Sequence, residues 1–111
     1  MQRDFPESDW KVLSRLKPLA LDRLCRRILD EAQALIANVS EGKSHQAYLA
    51  LYRYIDQQDR VMADCFNDWS RSNALIMLLL WRRHGLVTEE EYAAFSEETR
   101  QRVNLLANLD S

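Results

Sequence analysis

The run Ala74 to Trp81 reads Ala-Leu-Ile-Met-Leu-Leu-Leu-Trp, eight apolar residues in a row between Asn73 and Arg82-Arg83. A helix turns about 100° per residue, so such a run points in every direction and has no solvent face of its own. Burying side chains of this kind is worth roughly 1.5–3 kcal/mol each, so leaving half of them in water costs more than a small domain's margin of stability. The run must therefore be covered on all sides, by other helices of the chain or by a second chain.

The covering material is helical. The chain of 111 residues holds 17 Leu and 11 Ala against 11 Val, Ile and Thr together, with two glycines and two prolines. No segment alternates apolar and polar residues over the length of a strand. This predicts an all-α fold: a single domain over 1–111, a compact bundle of five or six helices with a central apolar helix near 70–84.

A first short helix is expected over Ser8 to Leu16, capped by Ser8, with Trp10, Leu13 and Leu16 inward. Pro18 suits the first turn of a second helix, where a missing N–H is no loss. That helix carries a long amphipathic stripe: Leu21, Leu24, Cys25, Ile28, Leu29, Ala32, Leu35, Ile36 and Val39, stopped by Gly42. Ser44 caps a third helix with Tyr48, Leu51, Tyr52, Ile55, Met62, Cys65, Phe66 and Trp69 inward. Unbroken to His84 it would be about 60 Å long, so a break is expected at Asn67-Asp68-Trp69-Ser70. Gly85 ends the apolar helix, and Thr88 with Glu91 forms a capping box for a short helix that buries Tyr92 and Phe95. Ser96 starts a last helix with Val103, Leu106 and Leu109 inward.

The stretches Glu7-Ser8-Asp9-Trp10-Lys11, Tyr48-Leu49-Ala50-Leu51-Tyr52, Gly85-Leu86-Val87-Thr88-Glu89-Glu90-Glu91 and Phe95-Ser96-Glu97-Glu98-Thr99-Arg100 stand in this order along the chain. All four resemble stretches of a family of small, uncharacterised bacterial all-helical proteins. The resemblance covers nearly the whole chain and implies a bacterial, all-helical protein. Its motifs are caps, turns and core residues, so it carries over no catalytic or binding residue.

Chemistry-bearing patterns are sparse. His45 and His84 have no Glu three residues before them, and no Cys-x-x-Cys or His-Glu-x-x-His is present, so no metal or other cofactor is expected. Cys25 and Cys65 fall on apolar stripes and read as free thiols of a reducing compartment, hence the cytoplasm. The serines read as caps, no glycine-rich loop is present, and no catalytic residue is assigned. Net charge is −2, with 15 basic and 17 acidic residues. Arg23-Leu24-Cys25-Arg26-Arg27 and Arg82-Arg83-His84 fit a helix flank and a helix end better than a nucleic-acid surface. No apolar run reaches the roughly 20 residues that span a bilayer, so neither nucleic acid nor membrane is an expected partner.

One position breaks the pattern. Stepping along the third helix by fours and threes gives Tyr48, Tyr52, Ile55, Asp59, Met62, Phe66 and Trp69, with a carboxylate inside an apolar seam. A buried carboxylate needs a partner, for which Arg27, Arg23 and Arg71 are candidates. The structural reading is a polar layer or an edge that reaches water. The functional alternative is the polar cleft of a small enzyme or ligand-binding protein, with Asp59, Arg60, Arg53 and Arg27 as its candidate ligand-binding residues. The aromatic surplus favours a non-enzymatic interaction or accessory protein, self-associating as a homodimer or meeting another protein, whose open question is whether a second copy covers the last side of the apolar helix.

Overall fold

The computed structural model describes residues 5–109, and every regular element among them is helical. Helix α1 spans Glu7–Ala37, α2 Ser44–Phe66, α3 Ala74–Arg83, α4 Glu89–Tyr92 and α5 Glu97–Leu109, with a 3₁₀ turn at Arg71–Asn73. The expected boundary at Pro18 is absent, since α1 runs straight through it. An interior proline costs about 3 kcal/mol through its missing N–H and ring clash. Asp9, Leu13, Leu16, Ala20 and Leu24 are buried along one line that crosses Pro18, and only a continuous helix keeps them on one face. Pro6, not Ser8, precedes the first turn of α1, and Lys43, not Ser44, precedes that of α2.

The later boundaries follow local chemistry. Between α2 and α3 the chain breaks at Asn67–Ser70, where Asn73 Nδ2 donates to the Asp68 carbonyl at 3.0 Å. At the end of α3, the Leu86 N–H donates to Trp81 O at 2.8 Å and the Gly85 N–H to Arg82 O at 3.1 Å. This is a Schellman stop, with Gly85 at φ +69° and the buried Leu86 against the turn it closes. Thr88 Oγ1 accepts from the Glu91 N–H while Glu91 accepts from the Thr88 N–H, completing the capping box.

The core lies at one end of the molecule. α3 contacts α1, α2 and α5, and buries Ala74, Met77, Leu78, Leu79 and Trp81, leaving Ile76 exposed. All three tryptophans are used here. Trp69 stacks on Trp81 at 6.2 Å and packs against Trp10 at 4.7 Å, while Trp81 Nε1 donates to the Cys65 carbonyl at 2.8 Å. Val103 and half-buried Leu106 close the far side from α5, whereas Leu109, expected inward, is 81% exposed.

From residue 25 to residue 64 no side chain is buried. This stretch is an antiparallel pair formed by the second half of α1 and most of α2, turning at Gly42 (φ +81°), and it projects from the core. The molecule therefore measures 61 × 24 × 23 Å rather than forming the compact bundle expected from sequence. Its radius of gyration is 17.2 Å, against about 13 Å for a compact chain of this length. The reason is a mismatch of lengths. α1 has 31 residues and reaches about 46 Å, whereas the 10 residues of α3 and 13 of α5 reach about 15 and 20 Å. The short helices cover only the base of the long pair.

Candidate interaction surface

Two helices alone contact each other along one line each and leave their flanks open. In the arm the facing residues are Ile28, Ala32 and Leu35 of α1 and Ala47, Leu51, Tyr54, Gln58 and Val61 of α2, all half-buried. Tyr54 lies beside Glu31 and Arg27, and burial raises the pKa of its hydroxyl above the ordinary tyrosine value. That neighbourhood places position 54 near the level of positions 27–31.

A second apolar set stands one residue after the first. Leu29 follows Ile28, Ile36 follows Leu35, Tyr48 follows Ala47, Tyr52 follows Leu51 and Ile55 follows Tyr54. One residue is a turn of about 100°, always in the same rotational sense. In two antiparallel helices that face each other, the same turn brings both sets to the same side of the pair. Leu29, Ile36, Tyr48 and Tyr52 are each 60–63% exposed, Ile55 37%, and Val39 near the tip 38%. The arm thus carries one apolar face open to solvent. Leu29, Ile36 and Val39, expected inward, belong to that face rather than to a core.

Asp59 follows Gln58 in the same way and stands at the base of this face, exposed rather than buried. The seam Tyr48, Tyr52, Ile55, Asp59, Met62 is a real stripe, but the neighbouring stripe Ala47, Leu51, Tyr54, Gln58, Val61 makes the contact with α1. Among the described residues no ion pair reaches Asp59. The arginines expected to pair with it are engaged elsewhere. Arg23 donates to both carboxylate oxygens of Glu91, at 2.6 and 2.8 Å, and to Leu86 O at 2.8 Å. Arg27 donates to His84 O at 2.7 Å, and Arg71 binds Phe5 O and Glu7 at 3.0 Å each. Arg53 and Arg60 stand two residues after Leu51 and Gln58, hence on the outer side of α2, where Arg60 meets Asp56 at 3.4 Å. Among the described residues no hydrogen bond or ion pair joins any two of the four predicted ligand residues.

The base of the molecule is closed by polar contacts the sequence did not announce. Asp9 is 1% exposed, and its carboxylate accepts from the Ser96 N–H at 2.8 Å and from the Ser96 and Thr99 hydroxyls at 2.6 Å each. It caps the start of α5 from the far end of the chain, where helix N–H groups favour a negative charge. In the sequence Asp9 looks like an ordinary first-turn acid, and no local signal ties it to residue 96. Glu91, held by Arg23 first and by Thr88 besides, has its pKa lowered to about 2. Cys25 and Cys65 are both free, and burial with the nearby Asp64 charge pushes the Cys65 thiol up to about 11, so it is a poor nucleophile.

An open groove of about 600 Å³ lies between α3, α5 and the start of α4, with Leu79, Val87, Val103 and Ala107 among its walls. Arg82 at its edge is occupied by Glu89 at 2.9 Å and by the face of Tyr92, 3.7 Å from the ring centre. Among the described residues no buried side-chain nitrogen or oxygen lacks a partner, and no three His, Cys, Asp or Glu gather where a metal could be held. No helix is long and apolar enough to cross a membrane. Comparison of the chain with protein-family models, with curated proteins and with solved structures finds no match to any of them.

Proposed function

We propose that this chain is a non-enzymatic helical interaction protein of the bacterial cytoplasm that associates through its two-helix arm, in the first place with itself. The observation that carries the reading is the exposed apolar face of Leu29, Ile36, Tyr48, Tyr52 and Ile55. The exposed fractions of these five and Val39 add to about three whole large side chains, roughly 600 Å² at ~200 Å² each. That equals the largest apolar patch usual on a monomer, about 300–600 Å², and such patches mark interaction sites. The cytoplasmic assignment rests on the two free thiols. The competing reading, a ligand site of Asp59, Arg60, Arg53 and Arg27, has less support because Arg27 is engaged by the His84 carbonyl and Arg60 by Asp56.

Light scattering over a wide concentration range tests the proposal. The expected mass is twice the 13.1 kDa of the chain, and it should fall to the single value in Ile36→Asp or Tyr48→Asp, which place an unpaired charge in the contact, with helicity unchanged. A monomer at every concentration removes self-association. A thermal shift with metals or metabolites that Asp59→Asn abolishes would favour the ligand site instead.

A further inference from the structure

We infer that two copies pair arm against arm in antiparallel fashion, as a four-helix bundle whose two-fold axis crosses the arms at the level of Tyr52. The inference rests on the arm being the self-association surface and specifies how it is used. Its first support is area. Roughly 600 Å² of exposed apolar side chain per copy approaches the ~800 Å² per partner of a standard interface, and the polar rim of the arm adds the remainder.

The second support is the symmetry of the pattern. A two-fold contact must be self-complementary, so each contacting residue meets its mirror position on the other copy. In α2 the apolar residues are Tyr48, Tyr52 and Ile55, and in α1 they are Leu29 and Ile36. An antiparallel axis at Tyr52 sets that tyrosine against its own copy, Tyr48 against the partner's Ile55, and Leu29 against the partner's Ile36. Position 54 stands near the level of positions 27–31. In an antiparallel pair this sets Tyr52 level with about position 31 of α1, so the midpoint of Leu29 and Ile36 falls within roughly 2 Å of its height and one axis serves both helices. The polar ends agree with this register: Asp59, at the base of the face, comes opposite the partner's His45 at the tip, two residues after Lys43 in sequence.

Shape is the third support. The core occupies one end of a molecule 61 Å long and about 24 Å thick. Antiparallel arms carry the two cores to opposite ends, and the four helices then bury their flanks as bundles of this kind do. Parallel arms place both cores side by side and set Tyr52 against the partner's Leu29, with no tyrosine meeting its own copy.

Cysteine cross-linking separates these arrangements. In a Cys25→Ala background, with Cys65 buried, Tyr52→Cys should oxidise to a covalent dimer, because only facing positions bring Cα atoms within about 4.4–6.8 Å. Leu29→Cys mixed with Ile36→Cys should form the mixed dimer, and Arg60→Cys on the outer side should form none. These substitutions fall on exposed positions, and circular dichroism checks that each variant is folded. If the chain is a dimer by light scattering but Tyr52→Cys cross-links only to Leu29→Cys, the antiparallel arrangement is overturned while self-association stands. If the chain is monomeric, both fail.

Discussion

The two ends of this molecule are built from the same kinds of residue and meet opposite fates. In the core, Trp81, Leu78, Leu13 and Leu86 are closed off completely, and every buried side-chain polar atom among the described residues is paired. In the arm, Leu29, Ile36, Tyr48 and Tyr52 stand mostly in water on helices of equal regularity. The difference lies in the number of neighbours. The core stacks α3, α4 and α5 on the paired bases of α1 and α2, whereas the arm has only α1 and α2. Apolar content therefore marks what needs covering, and only the count of elements at a given height decides whether the chain itself supplies the cover.

That contrast is open to direct attack. Trp81→Ala should do the most damage. It removes a fully buried ring, its stacking on Trp69 and Phe66, and the partner of the Cys65 carbonyl, at about 3–5 kcal/mol in urea unfolding. Asp9→Ala comes next, at about 2–4 kcal/mol, because it strips three hydrogen bonds from the buried start of α5; Asp9→Asn should recover part of the loss. A comparable loss from removing Tyr52 in a monomeric background would break the distinction between core and arm.

The pH dependence sharpens it. The pKa of Glu91 is lowered from 4.5 to about 2 by Arg23 and the Thr88 cap. A depressed carboxylate stabilises the fold above its unfolded pKa and stops doing so as pH falls through the folded one. Stability should therefore drop between about pH 4.5 and 2, by roughly 1–2 kcal/mol once solvent screening of this partly exposed pair is allowed for. Glu91→Gln should flatten that part of the profile, as followed by urea midpoints across the pH range. The smallest effect belongs to the arm: with association removed, Tyr48→Ser should change the chain's own stability by no more than about 0.5 kcal/mol, as for an exposed surface residue.

Much of this was legible beforehand. Residue types gave the all-helical fold, and Gly85 with Thr88-Glu91 marked the stop and restart after α3. The break near Asn67–Ser70 was readable because an unbroken helix would have outrun any small domain. What failed was the choice between adjacent stripes. In α2 the stripe with two tyrosines and an isoleucine looked like the inward one, which placed Asp59 in a core and implied an arginine partner. The stripe one residue earlier makes the contact instead, and Asp59 stands in water. Pro18 misled for a related reason: its local cost was visible, while the line of buried side chains on both sides of it was not.

The sequence by itself therefore determined the helices, most of their ends and the need to cover Ala74–Trp81, because these follow from backbone geometry and side-chain character within one turn or two. Only the tertiary structure decided which flank of each long helix is covered, because that depends on the relative lengths of helices far apart in the chain. It also decided that Asp9 reaches Ser96, a contact 87 residues apart that no local spacing encodes. The apolar run that most constrained the fold is answered largely within the chain, and the uncovered surface lies on the arm.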